Sequence, residues 1–242
     1  MKALLRWLLL AVVASVLLQA FFVLRIAAAV SLDPQSTTFQ RSEAWRLTTQ
    51  KDRLRWRQEW VPYDRLPDNL KRAVIASEDD GFASHDGVDW EAIEKAWERN
   101  AKAEEQAARR NQLRPGARPP KIVGGSTITQ QLAKNLLLSG ERNLVRKAQE
   151  IVLTYALEAL LTKRRILEIY LNNVEWGEGV FGAEAAARHY WRKPASQLTP
   201  YEAARLAVML PRPRYFEKVP NSGYLASRSQ TIVARMRNAE LP

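Results

Sequence analysis

Residues 124–136, with the sequence GGSTITQQLAKNL, decide the fold class of this chain. Two glycines interrupt the preceding segment, and large apolar residues then recur at every fourth position, at Ile128, Leu132 and Leu136. That spacing places the three side chains on one face of a helix, whereas a half-buried strand would alternate apolar and polar residues. We therefore predict an amphipathic helix whose apolar stripe packs against a core.

The opposite face of this helix is polar. Thr127, Gln131 and Lys134 follow each other at helical spacing, and Ser126 with Thr127 stands where helix caps are found. Free N–H groups and the dipole at such an N-terminus favour oxyanions. The segment therefore suggests a bound sugar or phosphate, and a capped surface helix is the simpler alternative.

Helical periodicity also dominates the rest of the chain. No block of strand-like alternation and no internal repeat is found, so we predict a mainly α domain. Apart from a helix capped by residues 67–69, the predicted helices are 90–108, 145–161, 163–173, 183–190, 200–210 and 222–236.

A second polar cassette, EDDGFASHDG at 78–87, follows the helix that begins near residue 70. Glu78 lies where that helix should end, and an acid there opposes the helix dipole, a local conflict that is expected at functional sites. Partial burial and the neighbouring acid Asp79 would raise the pKa of Glu78 and suit it to proton transfer near neutral pH. An exposed acidic turn or a calcium loop is the alternative, but the spacing is not that of the twelve-residue calcium loop.

A third group of charges lies further along the chain. Arg142 precedes Arg146, Lys147 and Glu150, and Arg146 and Glu150 are spaced as an i, i+4 pair. The helix continues as an apolar run, so Glu150 should be buried and held by two cations. It would then orient either the substrate or the cations themselves.

Composition limits the chemistry. The chain has 242 residues, no cysteine and two histidines, which excludes disulfides and thiolate nucleophiles and argues against a metal cage of imidazoles. A net charge of +11 calls for an anionic partner or surface, which charge alone does not identify.

The N-terminal residues suggest a membrane. Lys2 and Arg6 precede an apolar run over residues 7–24, about the minimum for a bilayer span. We predict an uncleaved anchor; a signal peptide cut near the alanines at 27–29 is the alternative. The expected organisation is an N-terminal tail and transmembrane anchor at 1–30, a juxtamembrane linker at 31–66 and a catalytic domain at 67–242.

Several residues outside the cassettes have two interpretations. Trp45, Trp56 and Trp60 either form a collar at the membrane interface or pack on the domain. The basic stretch over 101–121 is either solvated or in contact with lipid headgroups, and we favour the first. A G-x-G-x-x-G pattern at 177–182 matches a dinucleotide fingerprint, but no strand is predicted before it, so we expect a tight loop between helices.

In this order, the cassettes resemble the peptidoglycan glycosyltransferases of family 51, from residue 69 to about residue 236. Five family motifs match, at 78–87, 125–135, 146–150, 165–172 and 202–211. No S-x-x-K or K-T-G motif of a penicillin-binding domain is present. The chain therefore resembles the monofunctional branch of the family.

The resemblance implies a lysozyme-like helical domain that polymerises lipid II and releases undecaprenyl diphosphate. Glu78 would be the general base, and Glu150 would assist near the diphosphate as the second catalytic residue. The expected substrate-binding residues are Asp79, His85, Ser126, Thr127, Gln131, Lys134, Arg142, Arg146 and Lys147.

The resemblance also sets expectations about cofactors and location. We expect no protein-held metal, although Mg²⁺ or Mn²⁺ could accompany the diphosphate. The expected partners are lipid II, the lipid-linked glycan, the inner membrane and other cell-wall synthesis and division proteins, without nucleic acid. The catalytic domain should lie on the periplasmic side of a bacterial inner membrane, behind a single span.

Two alternatives remain at this point. A membrane-bound lytic transglycosylase or muramidase also uses one glutamate on a lysozyme-like frame, but it has no use for a diphosphate-binding cluster. A basic anchored protein that binds acidic lipid or nucleic acid would explain the charge, but not Glu78, Glu150 and the ordered polar face.

Overall fold

The computed structural model describes residues 2–51, 54–113, 124–138 and 143–242. Within these ranges the chain is mainly helical, as predicted. The helices are α1 (Lys2–Ala28), α2 (Thr38–Lys51), α3 (Asp68–Glu78), α4 (Trp90–Leu113), α5 (Ile128–Leu137), α6 (Leu144–Leu160), α7 (Lys163–Asn173), α8 (Ala183–Trp191), α9 (Pro200–Met209), α10 (Pro213–Lys218) and α11 (Gly223–Arg235).

Four helices, α5, α6, α7 and α9, begin at residues whose side chains accept a hydrogen bond from a first-turn N–H group. Thr127 caps α5 and Thr199 caps α9, each in a capping box with the residue three positions later. Asn143 accepts a hydrogen bond from the N–H of Arg146 at the start of α6. These local signals explain why most predicted helices begin within a residue or two of the observed ones.

The core lies between two groups of helices. Helix α3 packs against α9 and α11, and α5 packs against α6, α2 and α7. The stripe of Ile128, Leu132 and Leu136 is fully buried in this core, as the sequence predicts. Helix α1 lies along α6 and contributes Phe22 and Ile26 to the same core, while most of its remaining length is exposed.

The structure adds a small sheet that the sequence did not predict. Strand β1 (Arg57–Gln58) pairs in parallel with β3 (Val180–Phe181), and β3 pairs antiparallel with β2 (Glu175–Gly177). Strands of two or three residues are too short to show an alternating pattern.

The G-x-G-x-x-G segment lies in this sheet. The segment joins α7 to α8, as predicted, but it does so through the β2–β3 hairpin: Gly177 lies in β2, Gly179 in the turn, and Gly182 at the N-cap of α8. Gly179 has φ 72° with its Cα against the backbone of Arg55, so a side chain would not fit there.

The segment predicted as a linker is part of the domain from residue 37 onward. It contains α2, where Leu47 is buried and the Gln40 side chain donates to the carbonyl of Asn173. Helix α2 buries two polar residues beside one leucine, so its sequence shows no apolar stripe. Residues 37–66 therefore do not form a separate linker, and Arg165 of α7 also holds the preceding loop through Leu32 and Asp33.

Of the three tryptophans in this segment, two pack on the domain and one is exposed. Trp56 packs against Phe181 with ring centroids 5.0 Å apart, and Trp60 lies under the guanidinium of Arg165 against the core. Trp45 is 73% exposed on α2. In the basic stretch, Arg109 and Arg110 are exposed on α4, while Arg114, Arg118 and Lys121 lie outside the described residues.

Candidate active site

Glu78 is the last residue of α3 and is half-buried. Its Oε2 accepts a hydrogen bond of 2.9 Å from the side-chain amide of Gln131 on α5. The Oε1 of Gln131 in turn accepts a bond of 2.9 Å from the hydroxyl of Tyr170 on α7. Three helices therefore fix the amide so that its N–H points at the carboxylate.

Burial raises the pKa of the Glu78 carboxyl, and the adjacent Asp79 acts in the same direction. The hydrogen bond from Gln131 and the charge of Lys134 oppose this effect without cancelling it. Burial also raises the pKa of the Tyr170 hydroxyl, so this group stays a donor to Gln131. Glu78 is thus a carboxylate whose affinity for a proton exceeds that of an exposed glutamate.

Asp79, by contrast, points into the protein. Its Oδ1 lies 2.7 Å from Nε2 of His85, and its Oδ2 accepts a bond of 2.9 Å from the backbone N–H of Ile128. The Nδ1 of His85 accepts from the N–H of Gly87, which assigns the ring proton to Nε2. Asp79 and His85 therefore join the two cassettes.

Thr127 is also internal, with 2% of its surface exposed. Its hydroxyl donates to the carbonyl of Gly87 at 2.6 Å and accepts from the N–H of Gln130. The expected anion at the N-terminus of α5 is thus the protein's own Asp79. The polar atoms of Asp79, His85 and Thr127 bond to groups of the two cassettes, so these residues connect the cassettes here, and their contact with substrate stays a prediction.

The polar face of α5 opens into a cavity of about 780 Å³. Six predicted site residues line it: Ser126, Gln131, Lys134, Arg146, Lys147 and Glu150. Apolar walls come from Phe39, Leu138, Leu144, Val174 and Leu210. Glu78 adjoins this cavity through its bond to Gln131. Of the remaining predicted residues, Arg142 lies outside the described part of the chain.

Glu150 is almost fully buried, at 3% exposure, on the wall formed by α6. Its Oε2 accepts from the guanidinium of Arg146 at 2.8 Å, and its Oε1 accepts from the ammonium of Lys147. Both cations also line the cavity. Glu150 therefore holds Arg146 and Lys147 at the cavity wall. Of the two roles that the sequence allowed, this geometry favours orienting the cations over orienting the substrate.

Glu175 was missed by the sequence analysis. It is buried in β2, lines the same cavity and accepts two bonds from the guanidinium of Arg214, at 2.8 and 3.1 Å. Burial raises its pKa to about 7, against the effect of Arg214. An acid within the apolar run VEWG was the available signal, but nothing local indicates that this residue is buried.

Comparison with known proteins agrees with this geometry. A sequence model of the family described as transglycosylase matches residues 46–237, most of the chain. The chain belongs to the transglycosylase family. The matched region begins inside α2, which agrees with the packing of this helix as part of the transglycosylase domain.

Curated relatives extend the match to nearly the whole chain. A protein from Herminiimonas arsenicoxydans is 50% identical over all of this chain and 99% of its own length. Proteins from Burkholderia thailandensis and Bordetella pertussis are each 52% identical, over 93% and 87% of this chain and 82% of their own lengths. All three are named biosynthetic peptidoglycan transglycosylase.

Proposed function

We propose that this protein is a peptidoglycan glycosyltransferase that polymerises lipid II into linear glycan strands for the bacterial cell wall. The observation that carries the proposal is the Glu78 carboxylate, held by Gln131 beside a cavity with fixed cations on its wall. The names of the relatives support the same reaction class.

In the proposed reaction, Glu78 takes the proton from the 4-hydroxyl of the acceptor sugar. The oxygen attacks the anomeric carbon of the lipid-linked chain, the bond to the diphosphate breaks, and the configuration inverts. The raised pKa of Glu78 favours this transfer, because a base works best when its pKa approaches the working pH. General base catalysis typically contributes about 10²- to 10⁴-fold.

The leaving diphosphate requires positive charge. Lys134, Arg146 and Lys147 line the cavity, and Glu150 orients the last two. Preorganised cations stabilise the charge that develops on a leaving group without reorganisation during the reaction. This arrangement favours transfer from a lipid diphosphate over a lytic reaction, whose glycan substrate carries no diphosphate.

A divalent ion would enter only with its substrate. No group of three or more His, Cys, Asp or Glu in the described ranges could hold a metal, and both oxygens of Glu150 are bonded to cations. Mg²⁺ keeps several waters and commonly binds through substrate phosphates. We therefore propose that Mg²⁺ or Mn²⁺ would arrive with the substrate diphosphate, and no step is assigned to the ion.

The anchor assignment is supported by α1. Among the described helices it alone has the length and apolarity of a membrane span. Its Gln19 exchanges two side-chain hydrogen bonds of 2.9 Å with Gln149 of α6. Packing of Phe22 and Ile26 in the core fits retention of this helix better than cleavage at residues 27–29. We place the catalytic domain on the periplasmic side of the inner membrane.

Chain elongation on purified lipid II tests the function. The wild-type protein should lengthen lipid II, a moenomycin-type inhibitor should stop it, and Glu78→Gln should abolish polymer while retaining the helical circular dichroism. Asp80→Asn is the matched control, because Asp80 is the exposed acid two residues away, paired with Arg235. Digestion of finished sacculi without elongation would instead identify a lytic enzyme.

A further inference from the structure

A second cavity, of about 290 Å³, lies where α1 ends. Its walls come from the last turn of α1, the following loop over 29–36, Arg41 of α2 and the end of α5 at Leu136 and Leu137. It shares no lining residue with the 780 Å³ cavity. We call it the anchor pocket, and no step of the proposed reaction uses it.

Two arginines give the anchor pocket its charge. Arg25 and Arg41 both line it, and in the described ranges neither forms an ion pair with a carboxylate. Arg41 is oriented by the carbonyl and hydroxyl of Ser36, both at 3.1 Å, and by the hydroxyl of Thr38 at 3.0 Å. All three partners are neutral, so the positive charge of Arg41 is not compensated by them.

Among the described residues, Asp33 is the one acid that lines the pocket, and it already has a cationic partner. Asp33 accepts a bond of 2.8 Å from Arg165 of α7, whose guanidinium also donates to the carbonyls of Ala29 and Leu32. Arg165, which also pairs with Glu168, therefore holds Asp33 and fixes the loop that forms one wall, while Arg25 and Arg41 outweigh the single charge of Asp33. The anchor pocket is preformed and has a net positive charge.

The remaining wall is apolar and includes Leu32, Leu136 and Leu137. If α1 spans the bilayer, its end at Ala28 and the pocket beside it lie at the membrane surface. Two guanidinium groups suit a phosphodiester, since arginine matches phosphate geometry with paired donors. An apolar wall beside them suits the glycerol and first acyl carbons of the same molecule.

We infer that the anchor pocket binds the phosphodiester headgroup of an anionic membrane phospholipid through Arg25 and Arg41. This inference rests on the proposed membrane anchor and is independent of the proposed reaction. The lipid would contact the C-terminal end of α5, whose Leu136 carbonyl accepts from Thr38. It would thereby fix the depth of the catalytic domain relative to the bilayer.

The test is native mass spectrometry of the full-length protein in detergent, titrated with phosphatidylglycerol. The variants are Arg25→Gln, Arg41→Gln and the double variant. A basic side chain near an anionic surface contributes about 1 kcal/mol, so each single variant should weaken binding of one lipid about fivefold, and the double variant about 30-fold. Arg6→Gln, at the other end of α1, is the control and should retain tight binding.

Two further arms separate the possible outcomes. Inorganic phosphate at millimolar concentration should not displace the lipid, because it lacks the glycerol and acyl contacts; displacement would indicate a simple anion site and overturn the inference. Equal lipid retention in wild type and the double variant would also overturn it. The double variant should remain in the membrane fraction and elongate lipid II. If instead the proposed reaction is incorrect, the wild-type protein itself will not elongate lipid II, whatever its lipid binding.

Discussion

The side-chain amide of Gln131 donates to Oε2 of Glu78 at 2.9 Å, across the boundary between α5 and α3. This bond connects the two polar cassettes at the point where proton transfer is proposed. It also acts against burial, because a donor to the ionised carboxylate lowers its pKa. The reactivity of Glu78 therefore depends on a residue 53 positions away in sequence.

Glu78→Gln should stabilise the protein while removing activity. The raised pKa of Glu78 means that the folded state holds its proton more tightly than the unfolded state, so ionisation above the ordinary value of 4.5 costs stability. The variant lacks this cost, and relief of the unfavourable charge at the helix C-terminus should be worth about 0.3–1 kcal/mol at neutral pH. Denaturant unfolding at pH 4 and pH 8 would measure it.

The stability gain of Glu78→Gln should shrink toward pH 4, where the wild-type carboxyl is mostly protonated in both states. If Glu78→Gln is less stable than wild type at both pH values, the Glu78 carboxylate stabilises the fold instead of costing stability.

Gln131→Leu should move the acidic limb of the pH–rate profile to higher pH. The hydrogen bond from Gln131 lowers the pKa of Glu78, so its removal leaves burial opposed more weakly, by Lys134 and Ser77, and the base titrates at higher pH. Tyr170→Phe is the control, because it removes the partner of Gln131 but leaves the bond to Glu78. We expect a loss of about tenfold or more in kcat at neutral pH for Gln131→Leu. An acidic limb that stays at the wild-type position would contradict this role.

Glu150→Ala should destabilise the protein by about 3 kcal/mol, because breaking a buried ion pair leaves a charge without compensation. It should also raise the KM for lipid II, since Arg146 and Lys147 lose the carboxylate that orients them. Thermal unfolding and elongation kinetics would measure the two effects.

The matched control is Glu91→Ala on α4. Glu91 also pairs with a lysine, Lys95, but both side chains are mostly exposed. An exposed pair contributes little because solvent screens it, so stability and KM should change little. If the two substitutions have equal effects, the buried ion pairs of Glu150 with Arg146 and Lys147 are not important for stability or substrate binding.

Glu175→Gln should change how stability depends on pH. The pKa of Glu175 is about 7 in the folded state and 4.5 as the ordinary value, so the folded state binds more protons between these limits. Wild-type stability therefore falls as pH rises through this window. The difference between variant and wild type should shift in favour of the variant by up to roughly 3 kcal/mol from pH 4.5 to pH 8, at about 1.4 kcal/mol per pKa unit.

Glu178→Gln provides a control of opposite sign. Hydrogen bonds from Lys51 and Arg46 lower the pKa of Glu178 to about 2. Its contribution is present above pH 4.5 and is lost as pH falls toward 2, so this variant should lose stability at neutral pH. If both variants show the same pH trend, the raised pKa of Glu175 is not what determines its contribution.

Much of the fold could be predicted because its signals are local. The apolar stripe of α5, its cap at Thr127 and the helix bounds near α6 and α7 depend on residues within one or two turns. Helix α2 and the small sheet could not be predicted in this way. The first buries polar residues whose partners are distant, such as Gln40 with Asn173, and the second has strands too short for a pattern.

In the candidate site, too, the features that depend on local sequence could be predicted, and those that depend on distant partners could not. The sequence alone determined that Glu78 ends a helix, that Gln131 and Lys134 share a polar face, and that Arg146, Lys147 and Glu150 lie within one turn. Tertiary structure decided which polar groups remain at the cavity. Asp79 and Thr127 turn inward to bond with the N–H of Ile128 and the carbonyl of Gly87. These partners are 49 and 40 residues away, so no local pattern in the sequence indicates the bonds. Spacing along a helix is fixed by backbone geometry, whereas burial depends on which distant segment supplies the matching hydrogen bond.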